Sequence, residues 1–195
     1  MKKQKGIIAM SYLLIAVVFI SLTYTSASAA TQGKHLFILS GQSNMAKMNH
    51  SKDFSPIVEK KFGKKNVIVV KVAKSGQPIR RWHKEWKKPE GRLVSVSTRG
   101  EAGDIYKELI DTVKADTKGE TLQTITFCWL QGEADGMKGN DNNAYYEKSL
   151  KAVIAQLRAD LGRDDINVII ARISPFSNGV PAWDRIRTML VKVAG

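Results

Sequence analysis

His35-Leu36-Phe37-Ile38-Leu39 runs directly into Ser40-Gly41-Gln42-Ser43-Asn44-Met45. A short apolar run without polar alternation suits a strand covered on both faces of a parallel sheet. The polar, glycine-bearing stretch at its carboxyl end lies where open α/β sheets bind ligands. Three further runs repeat the pattern: residues 67–72 (VIVVKV), 125–130 (ITFCWL) and 166–171 (INVIIA).

Helical periodicity fills the intervals. Ala102, Ile105, Tyr106, Leu109, Ile110 and Val113 recur at helical spacing, with Gly119 as a stop. Tyr146, Leu150, Val153, Ile154, Leu157 and Leu161 do the same, with Asp141 to Asn143 as caps and Gly162 as terminator. A weaker helix covers residues 55–62, and Pro181 opens a last one carrying Trp183, Ile186, Met189, Leu190 and Val193. Strands alternating with helices predict a three-layer α/β/α parallel sheet with right-handed crossovers. The longest irregular stretch, residues 74–99, is long enough to be a functional loop.

The chain has 195 residues, a formal net charge of +13 and one Cys. That length fits one domain, and a single Cys excludes an internal disulfide framework or a multi-Cys zinc site. Lys2, Lys3 and Lys5 precede an apolar stretch from Gly6 to Leu22, and Ala27-Ser28-Ala29 follows. This pattern predicts a signal peptide over residues 1–29 and an exported domain over residues 30–195, rather than an uncleaved anchor. No stable membrane insertion is expected after cleavage. Residues 47–92 carry fourteen Lys/Arg and four acidic residues, so the basicity is local. It reads either as a solvated basic face or as attraction to an anionic polymer or membrane surface. No nucleic-acid-binding motif accompanies it, so no nucleic-acid partner is expected.

Three polar clusters leave the predicted strand ends: residues 40–45, residues 73–80, and Gln131-Gly132-Glu133-Ala134-Asp135-Gly136. A hydroxyl on a sharp turn (Ser43), a bare backbone N–H (Gly76) and a side-chain amide (Gln131) are the parts of an acyl-transfer site. The hydroxyl attacks, and the N–H groups of Ser43, Gly76 and Gln131 hold the oxyanion. A capping Ser, a turn Gly and a loop-tethering Gln are the competing reading. Trp82, His83 and Trp86, set among Arg80, Arg81, Lys84, Lys87 and Lys88, read either as a sugar-stacking wall or as loop packing. Cys128 reads as a buried core residue.

Gly41-Gln42-Ser43-Asn44-Met45, Ser75-Gly76-Gln77-Pro78-Ile79-Arg80-Arg81-Trp82 and Trp129-Leu130-Gln131-Gly132-Glu133-Ala134-Asp135 occur in this order, each at a strand end. Together they resemble the blocks of SGNH-type hydrolases, within them the sialate O-acetylesterase-like and acetyl-xylan-esterase-like carbohydrate esterases. The resemblance runs from His35 to Ala194. It implies a flavodoxin-like fold and an acetylated carbohydrate substrate, with no metal or organic cofactor. It makes Ser43 the nucleophile, Gly76 and Gln131 oxyanion donors and Glu133 an ordering residue. Asn44 would brace the turn.

The chain departs from the family pattern in one respect. The family's catalytic histidine comes from an Asp-x-x-His block after a fifth strand, and neither that block nor a fifth strand is found. The histidines are His35, His50 and His83. None of the three occupies the family position, and His83 is the nearest to a substitute. The expectation is therefore a family member lacking its last strand. Its rival is a pseudoenzyme that binds glycan or another anionic polymer without turnover. Oligomeric state is not legible.

Overall fold

Unbroken apolar runs form parallel strands here because the central strands of such a sheet bury both faces, and alternation of side chains divides each run between two cores. The structure, a computed structural model, describes residues 33–87, 100–137, 144–175 and 180–195. The expected signal peptide and the caps at Asp141 to Asn143 lie outside them.

The strands are β1 (Lys34–Gly41), β2 (Val67–Ala73), β3 (Leu122–Leu130) and β4 (Asn167–Ile170). They form one sheet in the order β2-β1-β3-β4, with every neighbouring pair parallel. The helices are α1 (Ser43–Lys47), α2 (His50–Asp53), α3 (Ser55–Phe62), α4 (Asp104–Asp116), α5 (Glu133–Gly136), α6 (Tyr146–Leu161) and α7 (Pro181–Ala194). This is the expected three-layer, flavodoxin-like arrangement. Gly162 ends α6 in the left-handed conformation. Sequence periodicity did not reveal α1, α2 and α5, which are too short to show a helical repeat.

On one face Leu36, Ile38, Val70, Val72, Ile125, Phe127 and Trp129 pack against Ile105, Leu109 and Val113 of α4, Leu150, Val153 and Leu157 of α6, and Ile186 and Leu190 of α7. On the other, Leu39 and Cys128 meet Met45 of α1, and Phe37 stacks against Phe54 and Phe62 at 5.5 and 5.9 Å. Cys128 is a core residue as expected, and burial pushes its thiol up to about 11.

One expectation needs correction, and one open reading is decided for Trp82. The run at 166–171 shortens to β4 and is not covered on both faces, since Ile169 is 57% exposed at the sheet edge. Trp82 is not part of an exposed aromatic wall. It is fully buried, set edge-on to Trp129 at 5.3 Å, with its indole N–H donating to Ser40 Oγ at 2.9 Å. Ser40 donates in turn to the Val72 carbonyl at 2.7 Å. Ser40 can do both because a hydroxyl accepts and donates at once.

Ser40→Ala therefore leaves a buried indole N–H without its partner. The expected loss is about 1–3 kcal/mol. Urea unfolding checks it, with a lower midpoint at unchanged slope as the expected result.

Candidate active site

The strand order places the site. The chain steps from β1 outward to β2, then crosses back to β3 on the other side of β1. The switch point is therefore between the carboxyl ends of β1 and β3, where such sheets open a crevice. In register, Gly41 stands opposite Ala73 of β2 and Leu130 of β3, so the three polar clusters leave the sheet at one level. Two hydrogen bonds continue this level beyond the ladders. Lys74 N–H donates to the Gly41 carbonyl at 3.0 Å, and Gln42 N–H donates to the Leu130 carbonyl at 3.0 Å.

Only glycine fits at 41. Its φ is +145°, and a Cβ there would lie 1.9 Å from the Leu130 carbonyl oxygen. The chain then turns at once into α1, which Ser43 opens, half-buried. Gly76 is exposed at φ +69° with nothing within 4 Å of a Cβ position. No other part of the described chain crowds that position. Ser43 and Gly76 thus sit on adjacent strand exits, as the sequence predicts.

Gln131 departs from expectation. It is fully buried, and its amide nitrogen lies 2.6 Å from Asp135 Oδ2, 3.0 Å from the Gln77 carbonyl and 3.3 Å from Gln42 Oε1. Two amide hydrogens facing three acceptors leave no donor for an oxyanion. In this structure Gln131 ties the three exits together and does not present its amide to solvent. Glu133 accepts from Asn44 Nδ2 at 2.6 Å, which ties the start of α5 to the turn beside Ser43.

Two further residues act here, the second of them passed over in the sequence. Asp135, with no exposed surface, accepts from Ile79 N–H at 2.9 Å as well as from Gln131. It thereby joins the Gly76 loop to the β3 exit. Desolvation is the main cause that pushes its carboxyl up to about 6, and Glu133 adds to it, while the two hydrogen bonds and Arg80 act the other way. Asp135 Oδ1, Gln131 Oε1 and Glu133 Oε2 are buried without a hydrogen-bond partner among the described residues. Lys71 is the second. Its ammonium donates to the carbonyls of Ala46 at 2.9 Å, Met48 at 2.7 Å and Met45 at 3.4 Å, which closes the carboxyl end of α1 from inside the sheet. A lysine in the middle of the apolar run Val67-Ile68-Val69-Val70-Lys71-Val72 was the available signal.

The histidines stand elsewhere. His35 Nδ1 is 2.8 Å from Thr124 Oγ1 at the opposite end of the sheet, and His50 opens α2. His83 is buried with Nδ1 at 3.2 Å from Ser149 Oγ, its pKa lowered by burial and by Lys148. Among the described residues none of them is hydrogen-bonded to Ser43. No cluster of three or more His, Cys, Asp or Glu that could hold a metal ion occurs among these residues either.

Lys71→Met removes the donor while keeping the volume. Leaving those carbonyls unpaired costs about 1–3 kcal/mol and slows fluorophosphonate labelling of Ser43. Lys71→Arg, which keeps a charged donor, is expected to restore part of both. Asp135 makes a pH-dependent contribution. Its folded pKa lies above its unfolded value, so the native state holds the extra proton between about pH 4 and 6. Stability from this group is therefore present at low pH and lost as pH rises through 6. Asp135→Asn keeps a hydrogen-bond acceptor without the charge. The wild type should lose stability relative to this variant from pH 4 to 6 and hold a constant difference above 6. Urea midpoints across that range measure it.

Comparison with known proteins bears on this geometry. The sequence model of the family described as carbohydrate esterase, sialic acid-specific acetylesterase, matches residues 47–193. The match thus includes the Gly76 and Gln131 clusters and begins just past Ser43. No curated protein matches. Among solved structures, a protein of Arabidopsis thaliana superposes with a TM-score of 0.60 at 18% identity, over 83% of this chain and 82% of that one. A carbohydrate acetylesterase of Xanthomonas citri superposes with a TM-score of 0.56 at 14% identity, over 83% of this chain and 47% of that one. At such identities the superpositions speak for the fold alone, whereas the family match rests on sequence across most of the chain. The chain belongs to the sialic acid-specific acetylesterase family of SGNH-type carbohydrate esterases.

Proposed function

We propose that the protein is an exported carbohydrate O-acetylesterase with Ser43 as its nucleophile. The observation that supports this most directly is the common level of the three clusters, which sets Ser43 and the open backbone of Gly76 on adjacent strand exits. Ser43 Oγ attacks the acetyl carbonyl, and the sugar hydroxyl leaves as the acyl-enzyme forms. Water then releases acetate. The backbone N–H groups of Ser43 and Gly76 hold the oxyanion. Glu133 keeps the Ser43 turn in place through Asn44. Export follows from the basic, apolar and small-residue order of residues 2–30.

A second reading, glycan binding without turnover, is favoured by the placement of the histidines. Catalysis lacking one triad member typically keeps only ~10³–10⁴-fold over water, from the oxyanion hole and binding.

Acetate release from acetylated sugars, with fluorophosphonate labelling alongside, separates the two. Ser43→Ala is expected to reduce acetate release to the buffer background and abolish labelling. Recovery outside the cytoplasm with Ala30 at the N-terminus is the expected mark of export. No release and no labelling from a folded protein that still binds glycan would replace the esterase by the binding reading.

A further inference from the structure

A cleft of about 400 Å³ opens between residues 83–87 and the first turns of α6, and none of its lining residues belongs to the Ser43 site. That volume lies toward the small end of ligand pockets and suits a single sugar ring. Its floor is fixed. Gln156 of α6 donates to the Trp82 carbonyl at 2.5 Å and accepts from Lys84 N–H at 3.2 Å, and Lys84 also pairs with Asp160 at 3.0 Å.

The lining has the two components that recognition of an acidic sugar requires. Trp86 and Tyr145, from different elements and both half-buried, supply aromatic surface for the apolar face of a pyranose. The Arg80 guanidinium lies 5.9 Å from the Trp86 ring centre, which helps to fix that ring. Lys87 and Lys148, both exposed, supply positive charge and outnumber the single carboxylate of Glu85. His83 is held by Ser149 and adds a polar edge without charge near neutrality.

We propose that this cleft is a second saccharide-binding site, taking a carboxylate-bearing sugar residue stacked on Trp86 and Tyr145 and paired with Lys87 and Lys148. It stands independently of the chemistry at Ser43. The site would hold an acidic glycan on the protein whether or not an acetyl ester is cleaved.

Tryptophan fluorescence reads this cleft selectively, because Trp82, Trp129 and Trp183 are buried and only Trp86 is half-exposed. The probes are methyl glucuronoside and methyl glucoside, which differ at the carboxylate and carry no ester. The glucuronoside is expected to shift the emission saturably and more weakly as salt rises, with the glucoside binding at least about tenfold less tightly. Lys148→Glu, an exposed substitution, should weaken the glucuronoside about tenfold and leave the glucoside unchanged. Binding of the two sugars with equal affinity, or no response to either by fluorescence and by saturation-transfer NMR, overturns the proposal. Glucuronoside binding that Lys148→Glu leaves intact does so too.

Discussion

Gly41 is the constraint on which the rest of the site depends. Its position between Ala73 and Leu130 leaves no room for a Cβ, and its φ of +145° is one that other residues rarely adopt. That close approach lets its carbonyl take the Lys74 N–H and lets Gln42 donate to Leu130, so both neighbouring exits are pinned to β1. A side chain at 41 would push β1 and β3 apart at the point where Ser43 must emerge. The exit of Ser43 and the level of Gly76 are thus one packing fact, seen on two loops.

Below that level the site is held by a buried polar network instead of apolar packing. Gln131 and Asp135 connect the exits of all three strands through the Gln77 carbonyl, the Ile79 N–H and Gln42 Oε1. Such a network fixes directions that an apolar core leaves free, but a partly satisfied one is costly. The oxygens left without a partner among the described residues and the raised carboxyl of Asp135 are that cost. The same tension explains why Gln131 differs from the role expected of it. An amide that braces the loops from inside cannot also face outward with a free hydrogen.

The strands and the long helices were legible because they are written in burial: β1 and β3 as unbroken apolar runs, α4 and α6 as helical stripes, the second closed by Gly162. The strand ends carried Ser43, Gly76 and Glu133 for the same reason, since polar residues interrupt apolar runs where the chain leaves the sheet. What escaped depended on contacts between distant segments. The burial of Trp82 follows from a hydrogen bond to Ser40, forty-two residues earlier. Lys71 looked like one more charge in a basic segment until its ammonium met the carbonyls of α1. The exposure of Ile169 was hidden because an edge strand and a central one share the same composition.

The third cluster also depends on the C-terminal helix, which ties the site to a part of the chain remote from it in sequence. A Cβ at Gly132 would fall 2.6 Å from Ile186 Cγ2, and one at Gly136 would fall 3.1 Å from the Trp183 Cα. α7 therefore seats directly on the backbone of α5, with glycine at both contacts. α5 carries Glu133 and Asp135, which in turn hold Asn44 and Ile79. A chain of direct contacts leads from Ile186 through Gly132 and Glu133 to the turn of Ser43. Close packing transmits displacement because it leaves no void to absorb it. A shift of α7 by a few tenths of an ångström would move the Glu133 carboxylate beside the Ser43 turn before it disturbed the sheet.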